Sequence, residues 1–369
     1  MAIPLARNGT THKMRPSMLA VVVVLCASCG GGIAGPATTA PAIHDQSRSG
    51  TDATDQSGNG ATARIGARST DRLGVALPVP AALTPLSALA SSTDGQWHPA
   101  GRLVGGVPAV YETTLVPPGG SQPAGVAWLD THLLSARLYS GSSSPGGGPY
   151  RYSAPIKPAE AASLVAAFNG GFLMDTAGGG YFTDGRVVAP LVTGAASLVI
   201  RTDGTVSLGA WGTDVSMTTD VVSVRQNLLP LVAGGRPTPL AAAADWQAWG
   251  NTCGATSCAH SVPGVEQQWR SGVGVTAEGA LVYVTGPALT PLQLADVLVA
   301  ARAERGMELD INPSWTVLAT YAPITPDGLA APANGDRLVS ASMQGPATFF
   351  EPTWARDFIT LSTRTMPAG

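Results

Sequence analysis

Leu198-Val199-Ile200-Arg201-Thr202-Asp203-Gly204-Thr205-Val206-Ser207-Leu208 is the stretch whose reading decides the fold class. Two β-prone runs flank an Asp-Gly pair, the strongest short hairpin signal, because a type I′ turn needs positive φ at both central residues. The signature recurs at Phe182-Thr183-Asp184-Gly185-Arg186-Val187-Val188 and, in a weaker Glu-Gly form, from Val273 through Glu278-Gly279 to Val284. Three hairpins predict antiparallel pairing and exclude a doubly wound parallel sheet. Composition agrees: 44% hydrophobic and 12% charged residues, with 45 Gly and 30 Pro in 369, favour a loop-rich, sheet-rich globule over a helical bundle. The expected fold is therefore α+β, a largely antiparallel or mixed sheet built from hairpins with a few flanking helices. One large domain should cover residues 96–369.

Two helices stand out. Thr290-Pro291-Leu292-Gln293 is a capping box with proline at the first helical position, followed by an apolar stripe of Leu294, Val297, Leu298 and Ala301, with Gly306 as a stop. A second helix is predicted from Lys157 to about Ala166, starting at Pro158 and carrying Ala162, Leu164 and Val165. Both run directly into polar motifs, an arrangement that can deliver two clusters to one site.

The N-terminus reads as an export signal over residues 1–28. Arg7, Lys13 and Arg15 form a positive region ahead of the apolar run Met18 to Leu25, which is too short to span a bilayer as a helix. Cys26-Ala27-Ser28-Cys29-Gly30 follows, similar to a bacterial lipobox. This predicts a lipoprotein anchored at Cys29 on the outer face of the cell membrane, with plain secretion as the alternative. Residues 29–95 read as a disordered tether, because Ala, Thr, Ser and Gly cannot bury enough surface to offset ordering entropy. Cys253 and Cys258 then remain for a loop-closing disulfide in an oxidising compartment. A formal net charge of −3 and the lack of a basic run argue against nucleic acid, and leave the lipid as the expected membrane contact.

The chemistry concentrates in Gly306-Met307-Glu308-Leu309-Asp310-Ile311-Asn312-Pro313-Ser314-Trp315. Alternation on a strand puts Glu308, Asp310 and Asn312 on one face, and Pro313 ends the ladder. Carboxylates at i and i+2 lie roughly 7 Å apart, by the strand rise per residue. That separation suits acid/base work on a glycosidic bond, although a sheet edge with solvated acids has the same pattern. In Asn169-Gly170-Gly171-Phe172 the glycines allow close backbone approach to a ligand or a tight bend, with Asn169 an orienting hydrogen-bond group. Arg270, at the mouth of an apolar strand, carries a planar fork that fits phosphate, or it is a surface residue. The five scattered histidines argue against a zinc site, and no Gly-x-Ser-x-Gly elbow occurs. Gly30, Gly32 and Gly35 fit a dinucleotide pattern formally, but they follow the leader and precede no helix.

Taken in order, Asn169-Gly170-Gly171-Phe172, Ala196–Ile200 with Asp203-Gly204, Val224-Arg225-Gln226-Asn227-Leu228, Arg270 to Gly279 and Leu309-Asp310 resemble phosphodiester glycosidase domains over residues 97–362. The resemblance implies hydrolysis of the sugar C1–oxygen bond in a sugar-1-phosphodiester or related envelope glycoconjugate, with no cofactor. Asp310 would face C1 as base or nucleophile, with Glu308 a second acid/base candidate. Arg270 would hold the phosphate, and Asn169 and Asn312 the sugar hydroxyls. Gly170 and Gly171 would give close backbone access, and Trp315 would stack on the ring or close the sheet. One departure is plain: Ile311-Asn312-Pro313-Ser314-Trp315 stands where the family continues with a Gly-Gly-Gly-Ser-like turn. That departure leaves two alternatives open, a non-catalytic glycan- or protein-binding module on the same fold, and a hydrolase of another envelope bond.

Overall fold

Each of the three glycine-centred turns closes a hairpin, but with different backbones. The computed structural model describes residues 73–243, 246–250 and 266–364. Asp184 and Gly185 have φ of 52° and 72°, the positive pair of a two-residue turn between strands Tyr181–Thr183 and Arg186–Ala189. At Asp203-Gly204 and Glu278-Gly279 only the glycine is left-handed, with φ of 76° and 93°. These are longer loops in which glycine closes an ordinary turn, and Asp203 Oδ1 secures the first by accepting the Thr205 N–H at 2.9 Å.

Among the described residues the strands form three sheets, and every ladder is antiparallel. The first holds, in spatial order, His98–Val104, Val107–Leu115, Ala124–Leu129, Leu281–Leu289, Gln268–Thr276, Ala303–Asp310, Pro230–Ala233 and Arg236–Pro237. The second is Arg186–Ala189, Tyr181–Thr183, Val221–Gln226, Ala196–Arg201 and Val206–Ala210. The third is Gly335–Arg337, Leu318–Tyr321, Leu164–Asn169, Phe358–Thr363 and Leu134–Tyr139. With few helices beside them, this is the expected α+β class. Met307, Leu309 and Tyr283 of the first sheet, Leu198 and Ile200 of the second, and Phe168, Ile359 and Leu361 of the third share one core. Burying such side chains is the main stabilising term.

The helix Pro291–Ala300 has the expected capping box, with both Thr290 and Gln293 hydrogen bonds formed. Its Leu294, Val297 and Leu298 cover the other face of the first sheet, against Val282 and Val284. It ends earlier than the sequence suggests: Arg302 takes φ of 68°, and Gly306 lies inside the strand Ala303–Asp310. A Cβ at Gly306 would come within 3.2 Å of Leu298 and Val232, so that glycine lets helix and sheet approach. The other predicted helix shrinks to Pro158–Ala161, and Leu164–Asn169 is a fully buried strand. A strand covered on both faces reads as an unbroken apolar run, which periodicity cannot tell from a helix.

Residues 73–95 form no strand or helix, yet Leu77, Leu83 and Leu86 pack against the helix-side core. Asp130 Oδ2 accepts the Leu77 N–H at 2.8 Å, and the Leu83 N–H donates to Gly95 O at 2.9 Å. The signal segment, Cys29, the tether up to residue 72 and the Cys253/Cys258 pair lie outside the described residues. Among those described, no helix is long and apolar enough to cross a membrane.

Candidate active site

Alternation along Ala303–Asp310 breaks at its exit. Gly272 pairs with Glu308 while Ser271 pairs with Asp310, so one extra residue is taken up between the two acids. A bulge of this kind re-aims the side chains beyond it. Glu308 and Asp310 therefore have separate partners instead of sharing one surface. Glu308 Oε2 meets Arg270 Nη1 at 2.7 Å, with both side chains fully buried. The rest of the Arg270 fork is spent on carbonyls: Nε on Leu289 at 2.7 Å, Nη1 on Trp249 at 3.2 Å and Nη2 on Glu266 at 3.1 Å. Among the described residues all three nitrogens are engaged within the protein, and Arg270 is fully buried, unlike the exposed anion contact expected of it. Burial raises the Glu308 carboxyl to about 7, with Arg270 opposing the rise.

Asp310 is held differently. Its Oδ1 accepts the N–H groups of Ile311 and Asn312 at 2.8 and 2.9 Å. Its Oδ2 has no hydrogen-bond partner among the described residues and lies 3.7 Å from Arg356 Nη1, which likewise lacks one. Burial pushes this carboxyl up to about 6. Arg356 and the two N–H groups pull it down, and Asp357 adds to the rise. The Arg356 guanidinium lies over the Trp315 ring, 4.8 Å from its centre, and Trp315 meets Trp354 edge-on at 5.0 Å. Asn312 is exposed; its Oδ1 accepts the Ser314 N–H at 2.9 Å, and its carbonyl accepts from Trp315 and Thr316. That turn, entered through Pro313, presents the half-buried Trp315.

Asn169 is saturated. Its Nδ2 donates to Gly170 O and Ser271 Oγ at 2.8 and 3.0 Å, and its Oδ1 accepts from Tyr283 Oη at 2.7 Å and Val317 N at 3.2 Å. An amide has two donors and two lone pairs, so none is left for a sugar hydroxyl. It ties the third sheet to the first beside Asp310. The two glycines after it are crowded by protein. A Cβ on Gly170 would stand 2.0 Å from Asp357 Oδ2, and one on Gly171 would stand 2.6 Å from Asn227 Oδ1. Asp357 is there because Arg225 holds it, through Nε–Oδ2 at 2.8 Å and Nη2–Oδ1 at 3.1 Å. Asn227 accepts the Phe172 N–H at 2.9 Å and donates to the carbonyls of Glu308 and Leu309. Gly170→Ala is thus expected to displace Asp357 from Arg225 and destabilise by about 3 kcal/mol, the scale for disturbing a buried pair. Urea unfolding measures this, and a loss under about 0.5 kcal/mol would contradict the crowding.

No family model and no curated protein sequence matches the chain. Among solved structures, the catalytic domain of zebrafish N-acetylglucosamine-1-phosphodiester alpha-N-acetylglucosaminidase, auto-inhibited by its pro-peptide, is similar at 16% identity and TM-score 0.43, over 73% of this chain and 88% of that one. A protein of Burkholderia pseudomallei named "putative exported protein" is similar at 13% identity and TM-score 0.35, over 70% and 76% of the two chains. A hypothetical protein from Synechocystis is similar at 11% identity and TM-score 0.34, over 72% and 64%.

Asp310, Asn312 and Trp315 thus come together around one turn, with Asn169, Gly170 and Gly171 braced behind it. Glu308 and Arg270 form a separate internal pair. Arg356, Asp357 and Arg225 carry the charge of the site and had no role assigned from sequence. The available signal was Arg356-Asp357 placed directly before the apolar run Phe358–Leu361. Among the described residues no group of three or more His, Cys, Asp or Glu is placed to hold a metal ion.

Proposed function

We propose that the protein is a hydrolase of the sugar C1–oxygen bond in sugar-1-phosphodiesters, with Asp310 as the carboxylate facing C1. The supporting observation is the divided Asp310 carboxylate, one oxygen pinned by two N–H groups and the other unbonded opposite Arg356. Pinning keeps the group oriented while positive charge develops at C1, and costs no reorganisation during reaction. A phosphate monoester leaves without strong protonation, so one carboxylate and a cation for the phosphate suffice. Arg356 takes the phosphate in this reading, in place of Arg270. Its long side chain is 12% exposed and covers Asp310, which is 2% exposed. An arriving phosphate draws the guanidinium outward, uncovers Oδ2 and leaves the Trp315 face to the sugar. The motif order similar to phosphodiester glycosidase domains supports the same reaction. We place the enzyme outside the cytoplasm, anchored through Cys29 by a tether that ends where residues 73–95 pack against the domain, and give it a Cys253–Cys258 disulfide.

The test is sugar release by the full chain from a panel of sugar-1-phosphodiesters, run beside neutral glycosides of the same sugars. Release from the phosphodiesters supports the proposal, and no release from any of them by folded protein sinks it. The pH profile assigns the role. The carboxyl loses its proton near 6, so the rate is expected to rise with pH through that value and level off above it. A rate that falls through the same range would make Asp310 an acid instead. The burial of Asp310 favours one second reading, a binding module that keeps the fold, for which the panel gives no release.

A further inference from the structure

The loop Ser140-Gly141-Ser142-Ser143-Ser144-Pro145-Gly146-Gly147-Gly148-Pro149-Tyr150-Arg151-Tyr152 runs from the backbone that carries Arg356 to a cluster of rings and guanidinium groups. At its near end, the N–H groups of Ser142 and Ser144 donate to the carbonyls of Trp354 and Ala355 at 2.8 and 2.9 Å. At its far end, Arg137 and Arg151 both lie against the Tyr152 ring, 5.0 and 5.3 Å from its centre. Arg186 covers Tyr150 at 4.8 Å and donates to Pro149 O at 2.7 Å. Arg151 and Arg186 are exposed and Arg137 is half-buried.

None of the three guanidinium groups forms an ion pair among the described residues. Asp184 accepts the backbone N–H of Arg151 at 2.8 Å. Two cations on one ring repel each other, and an incoming anion relieves that repulsion. A guanidinium stacked on a ring keeps in-plane N–H groups, the geometry that grips phosphate oxygens. With a net charge of −3 the chain as a whole does not attract polyanions, so any such binding is local to this patch.

We propose that Arg137, Arg151 and Arg186 on Tyr150 and Tyr152 bind successive phosphates of a phosphodiester-linked polymer whose terminal sugar lies at Asp310. The choice of bond rests on the hydrolase reading, whereas binding by the patch does not. The loop's continuity from Arg356 to Arg151 favours a repeating phosphate backbone over a single phosphodiester.

Titration calorimetry at low salt tests this with the full chain carrying Asp310→Asn, so that turnover plays no part. The probes are linear inorganic polyphosphate and orthophosphate. Polyphosphate is expected to bind at least about tenfold more tightly than orthophosphate and to weaken as salt screens the patch. Adding Arg151→Ala and Arg186→Ala is expected to lower polyphosphate affinity about tenfold or more, a change of about 1.4 kcal/mol. Arg151→Lys with Arg186→Lys should retain part of it. Equal affinity for the two probes, or no loss in the double Ala variant, overturns the proposal. So does binding to phosphatidylglycerol vesicles without binding to polyphosphate. Should the parent release no sugar while the polyphosphate result holds, the hydrolase reading fails and the patch stands.

Discussion

Asp310→Asn is expected to lower sugar release from a phosphodiester about a thousandfold or more while the chain keeps its fold. Asparagine has nearly the same shape, and its carbonyl oxygen can accept the same N–H groups from Ile311 and Asn312. What disappears is the negative charge that the proposed reaction sets against C1. Stability should move the opposite way. Burial raises this carboxyl from 3.8 to about 6, so the fold favours the protonated form. A raised acid is fully accommodated below about pH 4, and stability falls as pH climbs toward 6 and stays lower above it. An amide carries no charge to desolvate. At pH 8 the variant is therefore expected to match or exceed the parent by up to about 2 kcal/mol, and at pH 4 the two should coincide. Thermal melts at both pH values decide it. A variant that melts well below the parent at pH 8 would mean that the Arg356 attraction outweighs desolvation.

Arg225→Ala is expected to cost about 4 kcal/mol, a loss on the scale measured when one partner of a buried ion pair is removed. The side chains of Arg225 and Asp357 are 1% and 0% exposed. Besides its two bonds to Asp357, Arg225 donates to the carbonyls of Gln226 and Phe172. Truncation leaves Asp357 charged, buried and alone, and frees those carbonyls. Activity should fall further than stability alone explains, because Asp357 adjoins Arg356 in the chain. Arg225→Met with Asp357→Leu, which removes both charges, is expected to recover more than half of the loss in a urea titration. A single-variant loss under about 1 kcal/mol would show that the pair is not what joins the second sheet to the third.

The antiparallel class was legible because turn chemistry is local: Asp184-Gly185 and the capping box at Thr290 each act within four residues. The predicted helix overruns Leu164, Val165 and Ala166, the start of a strand, because a strand buried on both faces loses its alternation. Asp310, Asn312 and Trp315 were legible as candidates, since a polar run at a strand exit is unusual. Their separation from Glu308 was not, because a register slip depends on the partner strand and leaves no mark on its own. Arg225, Arg356 and Asp357 escaped for the same reason. Each is an ordinary surface type in sequence, and only the docking of three sheets turns them into a buried network. Arg270 misled in the opposite sense, because a lone arginine before a strand says nothing of which carbonyls will surround it.

The bonds around Asp310 also say when the site can exist during synthesis. Asn169 reaches Ser271 across 102 positions and Val317 across 148, and Arg225 reaches Asp357 across 132. Closing such loops is slow and is rewarded only once both ends are present. A chain released before Arg356 lacks the clamp on Gly170 and the cation over Trp315, however well its hairpins have formed. Truncated products should therefore be silent instead of weakly active, and the last dozen described residues act as the final key to the site.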